Sequence, residues 1–270
     1  QVSLAEIFVA SATSWTMATR LVLDVNRSPE VFICGVSALA IKEADEPLVP
    51  VAELMGSQFR NVVPYTVDHP NRRLIFVEVS SLEELAAEAF LDRGIRKLAT
   101  DRGYALPLDV GLEYAKGATV LRQARFVFVW NTGRCGSTLV HRALSAAGAC
   151  SLSEPHWFDQ FYAPWDAEPG WKWPDASDIF FTCLVLDCVK QQGWRDSKVF
   201  VLNPKGVAAV AFPAVERAFP ADAFDVLHIQ MYRNAVDVLE SFGSIKFGDT
   251  QPPPRTEDLR ASHVPALQER

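Results

Sequence analysis

Thr132, Gly133, Arg134, Cys135, Gly136, Ser137 and Thr138 follow one another with no large apolar residue among them. The glycines let the backbone turn its N–H groups toward a common centre. A helix starting at Ser137 or Thr138 adds the positive end of its dipole there. Arg134 brings a fixed charge whose planar fork matches phosphate or sulfate oxygens. The chemistry on offer is anion binding; the ordinary alternative is a plain strand–turn–helix link. Arg233, with Ser241 eight positions later, forms a second group of this kind. Eight residues are about two helical turns, so both side chains reach one phosphate if the chain bends back. Two anion sites suit a nucleotide phosphorylated at both ends of its ribose.

Other phosphate chemistries fit the spacing badly. The loop of P-loop kinases and NTPases would need Gly at 131 and Lys at 137, where Asn131 and Ser137 stand. A cysteine phosphatase centred on Cys135 would need Arg six residues on. His141 is there instead, and Arg142 comes one late. Cys135 therefore reads as a small packed residue.

Elements must hold these groups. Phe126, Val127, Phe128, Val129 and Trp130 run without a polar break, as a strand buried on both faces does. Leu139, Val140, Ala143, Leu144 and Ala147 recur at helical spacing after the glycines. Further strands are expected at 31–36, 73–79, 198–202 and 225–232. Ser81 caps a helix over 82–99, with Glu84 as its capping-box partner. Helices are also expected over 109–123, 177–191 and 234–242, and one interrupted by Pro213. Residues 42–70, with Pro47, Pro50, Pro64 and Pro70, read as loop. Gly103 and Pro107 read as interruptions, and 151–155 as a turn. Residues 163–175 read as a loop, either a substrate wall or an anchored surface segment. Alternating strands and helices predict an α/β fold, three-layered with a central parallel sheet. Residues 1–120 carry no assignable motif and are expected to pack on a core of 121–247. Residues 248–270, with Pro252, Pro253 and Pro254, read as an irregular tail.

The chain has 270 residues, 49% hydrophobic and 22% charged, with a formal net charge of −7. This suits a soluble globular protein and argues against nonspecific nucleic-acid binding. Five cysteines, at 34, 135, 150, 183 and 188, match neither a disulfide framework nor a zinc pattern, and read as buried thiols. No membrane span or targeting segment is visible. The chain begins at Gln1 and continues only 29 residues past Ser241. It reads as a fragment or a shortened relative of a longer protein, of either cytoplasmic or Golgi-lumen location.

The order Arg134, Cys135, Gly136, Ser137, Thr138 resembles the 5′-phosphosulfate loop of sulfotransferases that use 3′-phosphoadenosine 5′-phosphosulfate (PAPS). The stretch from Tyr232 to Ser241 resembles the 3′-phosphate motif of that family, with Arg233 and Ser241 in the ligand positions. The resemblance covers about residues 125–245. Arg in the loop, followed by the Ser153-Glu154-Pro155 turn, is closer to the tyrosylprotein and carbohydrate types than to the cytosolic phenol type. It implies a P-loop-like α/β core and transfer of a sulfuryl group from PAPS, without a metal. The acceptor would be a hydroxyl or amine on a small molecule, carbohydrate or peptide. Thr132 and Gly133 join Arg134, Cys135, Gly136, Ser137 and Thr138 in the expected cofactor loop. Arg134 would also stabilise the leaving group. Glu154 is the expected catalytic base, with His156 as its rival, and Lys205 could contact the sulfuryl group. Trp157, Phe158, Trp165, Trp171 and Trp173 could line an acceptor site, or simply pack. A non-catalytic relative that keeps nucleotide binding is the second reading.

Overall fold

The computed structural model describes residues 17–25, 39–131, 134–161, 172–192, 197–204, 208–234 and 236–238. The expected strand at 31–36, the tail at 248–270 and most of the 163–175 loop lie outside them.

Strands β1 (Met17–Val25), β2 (Leu39–Glu43), β3 (Val49–Pro50), β4 (Val62–Asp68), β5 (Arg73–Val79) and β6 (Ala99–Pro107) build a six-stranded sheet. Its order is β2-β1-β6-β5-β4, with β3 paired to β1, and every pairing is antiparallel. Helix α1 (Val51–Leu54) precedes β4, and α2 (Leu82–Ala87) and α3 (Leu91–Leu98) join β5 to β6. An exclusively parallel arrangement is thus corrected for this half of the chain. The loop expected over 42–70 is corrected as well, because all seven residues of β4 are buried strand. Pro64 is tolerated because β4 is an edge strand and its register shifts between Pro64 and Thr66. Gly103 does not interrupt β6. A Cβ there would meet the Leu23 side chain and lie 2.7 Å from the Phe76 carbonyl oxygen, so glycine permits close strand packing.

Ser81 caps α2 as expected, its hydroxyl accepting from the Glu84 N–H at 3.1 Å. The single helix expected over 82–99 is two, separated by extended backbone at Glu88 and Phe90. Gly94 lets them fold together: a Cβ there would stand 2.7 Å from Leu85 Cδ1.

Helix α4 (Leu108–Lys116) leads into the second sheet: β7 (Arg125–Asn131), α5 (Ser137–Ala146), β8 (Cys150–Ser153), α6 (His156–Asp159), α7 (Ala176–Gln192), β9 (Val199–Asn203), α8 (Phe212–Ala218) and β10 (Asp225–Met231). Pro213 sits in the first turn of α8, where its missing N–H costs nothing. The four strands are all parallel, in the order β10-β7-β9-β8. The turn expected at 151–155 is largely strand β8. From β7 the chain moves outward to β8; from β9 it crosses back to β10. Such a reversal makes a crevice at the carboxyl ends of the strands, where ligands of open α/β sheets collect.

Val127, Val129, Ala149 and Val201 pack with Leu144, Ile229 and Met231 on the α5 side of this sheet. On the other side Phe126, Phe128, Trp130, Phe200 and Leu202 belong to a cluster with Phe180, Leu184 and Phe219. That cluster also holds Phe76, Tyr104 and Leu106 of the antiparallel sheet. Helix α7 lies between the sheets and is buried all round from Ile179 to Cys188, as its lack of a polar face requires. Leu82, Leu85, Ile95 and Leu98 of α2 and α3 cover the far face of the antiparallel sheet. The protein is therefore mixed α/β, with one parallel and one antiparallel sheet.

Polar ties join the two halves. Lys190 near the end of α7 is buried and donates to the carbonyls of Leu54 (2.7 Å) and Phe59 (2.6 Å). Burial lowers its pKa to about 7. Gln160, just past α6, accepts from the Val67 N–H at 2.7 Å and donates to the Val67 carbonyl at 2.8 Å.

Candidate functional site

The carboxyl ends of β7, β9, β8 and β10 bring the predicted site residues to one edge. Arg134, Cys135 and Gly136 follow β7 directly. Arg134 is exposed and in left-handed backbone (φ 53), and so is Gly136 (φ 91, ψ 15). Among the described residues nothing stands within 4 Å of a Cβ at Gly136, whose left-handed backbone angle suits glycine. Left-handed residues in a tight turn face successive N–H groups to one side. Gly136 is the N-cap of α5, and no side chain among the described residues caps this helix. Its first N–H groups and its dipole thus point into the crevice. Ser137 and Thr138 are half-buried in the first turn, and Cys135 is half-buried beside them.

β10 pairs with β7 from Asp225↔Arg125 to Met231↔Asn131, so both strands end level. Arg233 consequently stands beside the loop. Its Nη1 donates to the Arg134 carbonyl at 3.4 Å, and its Nε lies 3.5 Å from Asp237 Oδ2. Two guanidinium residues 99 positions apart are thus adjacent in an otherwise anionic chain. Asn234 Oδ1 accepts the Val236 N–H at 2.9 Å and starts the helical turn at 236–238. Thr132, Gly133, Lys205 and Ser241 lie outside the described residues.

Glu154 follows β8, two strands from β7, a lateral offset of roughly 10 Å. It is half-buried and left-handed (φ 52). Its N–H donates to the Asn203 carbonyl at 2.8 Å, and its carbonyl accepts from the Asp92 N–H at 3.4 Å. Both of its peptide groups are therefore fixed. His156 is 1% exposed and stacks on Tyr65 with ring centroids 4.3 Å apart. It faces the core, unlike a base that meets an acceptor. Trp157 and Phe158 are also core, each 0% exposed. Trp157 Nε1 donates to the buried Asp187 at 3.0 Å, and Trp173 stacks on His69 at 4.2 Å.

The inward face of α5 keeps Val140 and Leu144, both half-buried, but not the other three residues expected there. Leu139 is 73% exposed, and Ala143 and Ala147 are exposed too. The face turned inward runs through His141 instead, whose Nδ1 lies 2.8 Å from Ser151 Oγ in a buried contact. A count of apolar residues could not find that polar contact.

Sequence reasoning also missed a buried carboxamide pair under the loop. Asn131 Nδ2 donates to the Pro204 carbonyl at 2.7 Å and to Asn203 Oδ1 at 3.4 Å. Asn203 Nδ2 donates to the Ser137 carbonyl at 3.3 Å and to Ser153 Oγ at 3.4 Å. The only signal was an Asn closing each of two apolar strands.

Among the described residues no cluster of His, Cys, Asp or Glu could hold a metal, and no helix is long and apolar enough to cross a membrane. Cys150, Cys183 and Cys188 are buried free thiols, and burial pushes the last two well above the ordinary thiol range. No family model matches the chain, and no curated protein or solved structure does either.

Proposed function

We propose that this crevice binds PAPS and transfers its sulfuryl group to a hydroxyl or amine acceptor. The observation that carries this reading is the adjacency of Arg233 to the Arg134 loop. Two fixed cations and a helix N-terminus at one strand edge suit a ligand with two anionic ends. The strand order, with the glycine loop after β7 at the reversal point, supports a P-loop-like sulfotransferase core. Arg134 and the amides of Gly136, Ser137 and Thr138 would stabilise charge developing on the leaving phosphate oxygen. The acceptor oxygen or nitrogen would bond to sulfur as the sulfur–oxygen bond to the nucleotide breaks, its proton passing to the Glu154 carboxylate. Burial of His156 favours Glu154 as that base. Small molecules, carbohydrates and peptides are the acceptor classes to screen.

A second reading, a nucleotide-binding protein without transfer activity, draws on the exposed residues of β10, where Leu227 is 48% exposed. Calorimetry with 3′-phosphoadenosine 5′-phosphate tests the shared claim. Wild type should bind, and Arg233→Ala should bind at least tenfold more weakly, a loss of about 1.4 kcal/mol or more. No binding by wild type overturns both readings. Transfer of labelled sulfate from PAPS to an acceptor panel separates them. Glu154→Gln should abolish transfer and leave nucleotide affinity within twofold.

A further inference from the structure

We propose that Asn203 is a positioning residue that holds the anion loop and Glu154 in one frame. This rests on the sulfotransferase reading and adds a residue to it. Asn203 closes β9 between β7 and β8 and is 2% exposed. Its amide group reaches both neighbours. Oδ1 accepts from Asn131 at the end of β7, and Nδ2 donates to the Ser137 carbonyl in α5 and to Ser153 Oγ at the end of β8. Its own carbonyl accepts the Glu154 N–H at 2.8 Å. One residue thus bonds to the helix that ends the anion loop and to the carboxylate residue expected to act as base.

Three of these bonds are long, at 3.3 to 3.4 Å, so each adds little stability alone. Their value is geometric. Ser137 is the first residue of α5, and its placement sets where the loop amides and the helix dipole point. An error of an ångström at such a group can cost orders of magnitude in rate. The side chain acts on the loop, whereas the main chain holds Glu154, so the two effects separate on substitution. Asn203→Ala removes the links to Asn131, Ser137 and Ser153 while keeping the carbonyl that serves Glu154. Asn203→Asp keeps the shape and the Oδ1 acceptor but loses the Nδ2 donor to the Ser137 carbonyl.

The test compares wild type, Asn203→Ala, Asn203→Asp and Ser151→Ala. The last removes a buried hydrogen bond to the same helix, away from the frame. Both Asn203 variants should lose about tenfold or more in kcat and in affinity for 3′-phosphoadenosine 5′-phosphate, with KM for the acceptor within twofold. Ser151→Ala should keep kcat and nucleotide affinity within twofold. Equal losses in Ser151→Ala would reduce Asn203 to a general structural contact, and unchanged kinetics in both Asn203 variants would overturn the proposal. Amide hydrogen exchange gives a readout independent of activity. The 137–140 amides should exchange faster in the Asn203 variants, with the Glu154 amide still protected. Unchanged exchange at 137–140 overturns the proposal even if wild type binds no nucleotide, in which case the sulfotransferase reading fails separately.

Discussion

Glu154 holds left-handed backbone without being a glycine. For an L-residue with a Cβ this conformation costs roughly 1–2 kcal/mol. It persists because bonds from Asn203 and Asp92 fix both of its peptide groups. Such over-determined strain is common at sites where a side chain must be held in one place. Glycine would relieve the strain but add freedom to the unfolded chain, and valine would add crowding at Cβ. Denaturant midpoints should rank Glu154→Gly close to wild type and Glu154→Val below it, with transfer lost in both. Equal midpoints for the two variants would show that this backbone angle is not held in solution.

At the scale of elements, Lys190 ties α7 to the turn after α1. Burial lowers its pKa to about 7, below the ordinary lysine value. Between those two values the unfolded chain binds more protons than the folded one, so this group makes stability rise with pH from about 7 upward. The thiols of Cys183 and Cys188 act oppositely at alkaline pH, because burial raises theirs. Comparison with Lys190→Met cancels the thiols: wild type should gain on the variant between pH 7 and 9 in chemical denaturation. Parallel pH curves would contradict a perturbed Lys190. These elements were unequally legible. β7 and β9 announce themselves as nearly unbroken apolar runs because both faces are buried, whereas β5, β10 and α7 are read from apolar residues that tolerate a few polar ones among them. β4 and β6 were hidden because Pro64 and Gly103 are breakers by local propensity. Edge position and close packing, which are tertiary facts, make them acceptable. The glycine turn between β7 and α5 was readable because the apolar run of β7 stops there and helical spacing resumes after Gly136. Asn131 and Asn203 were not, since their partners lie on other strands.

Across the whole molecule, one apolar cluster runs from Phe76 and Tyr104 of the antiparallel sheet through α7 to Phe126 and Phe200 of the parallel one. The crevice residues are thus backed by a core to which both sheets contribute. Glu154 receives its bond from Asp92, which stands in α3 beside the antiparallel sheet. That sheet ends at β4, seven consecutive buried residues with no further strand beside them among the described residues. Gln160 satisfies both main-chain groups of Val67 on that open side. Unpaired main-chain groups along a strand edge are a template on which another chain can add a strand. Gln160 therefore occupies main-chain groups with which a second chain would otherwise pair. Gln160→Ala should keep the fold at 25 °C yet form light-scattering, thioflavin-positive aggregates on mild heating, faster than wild type and with a steeper dependence on protein concentration. Equal aggregation rates would show that the edge is protected by other means.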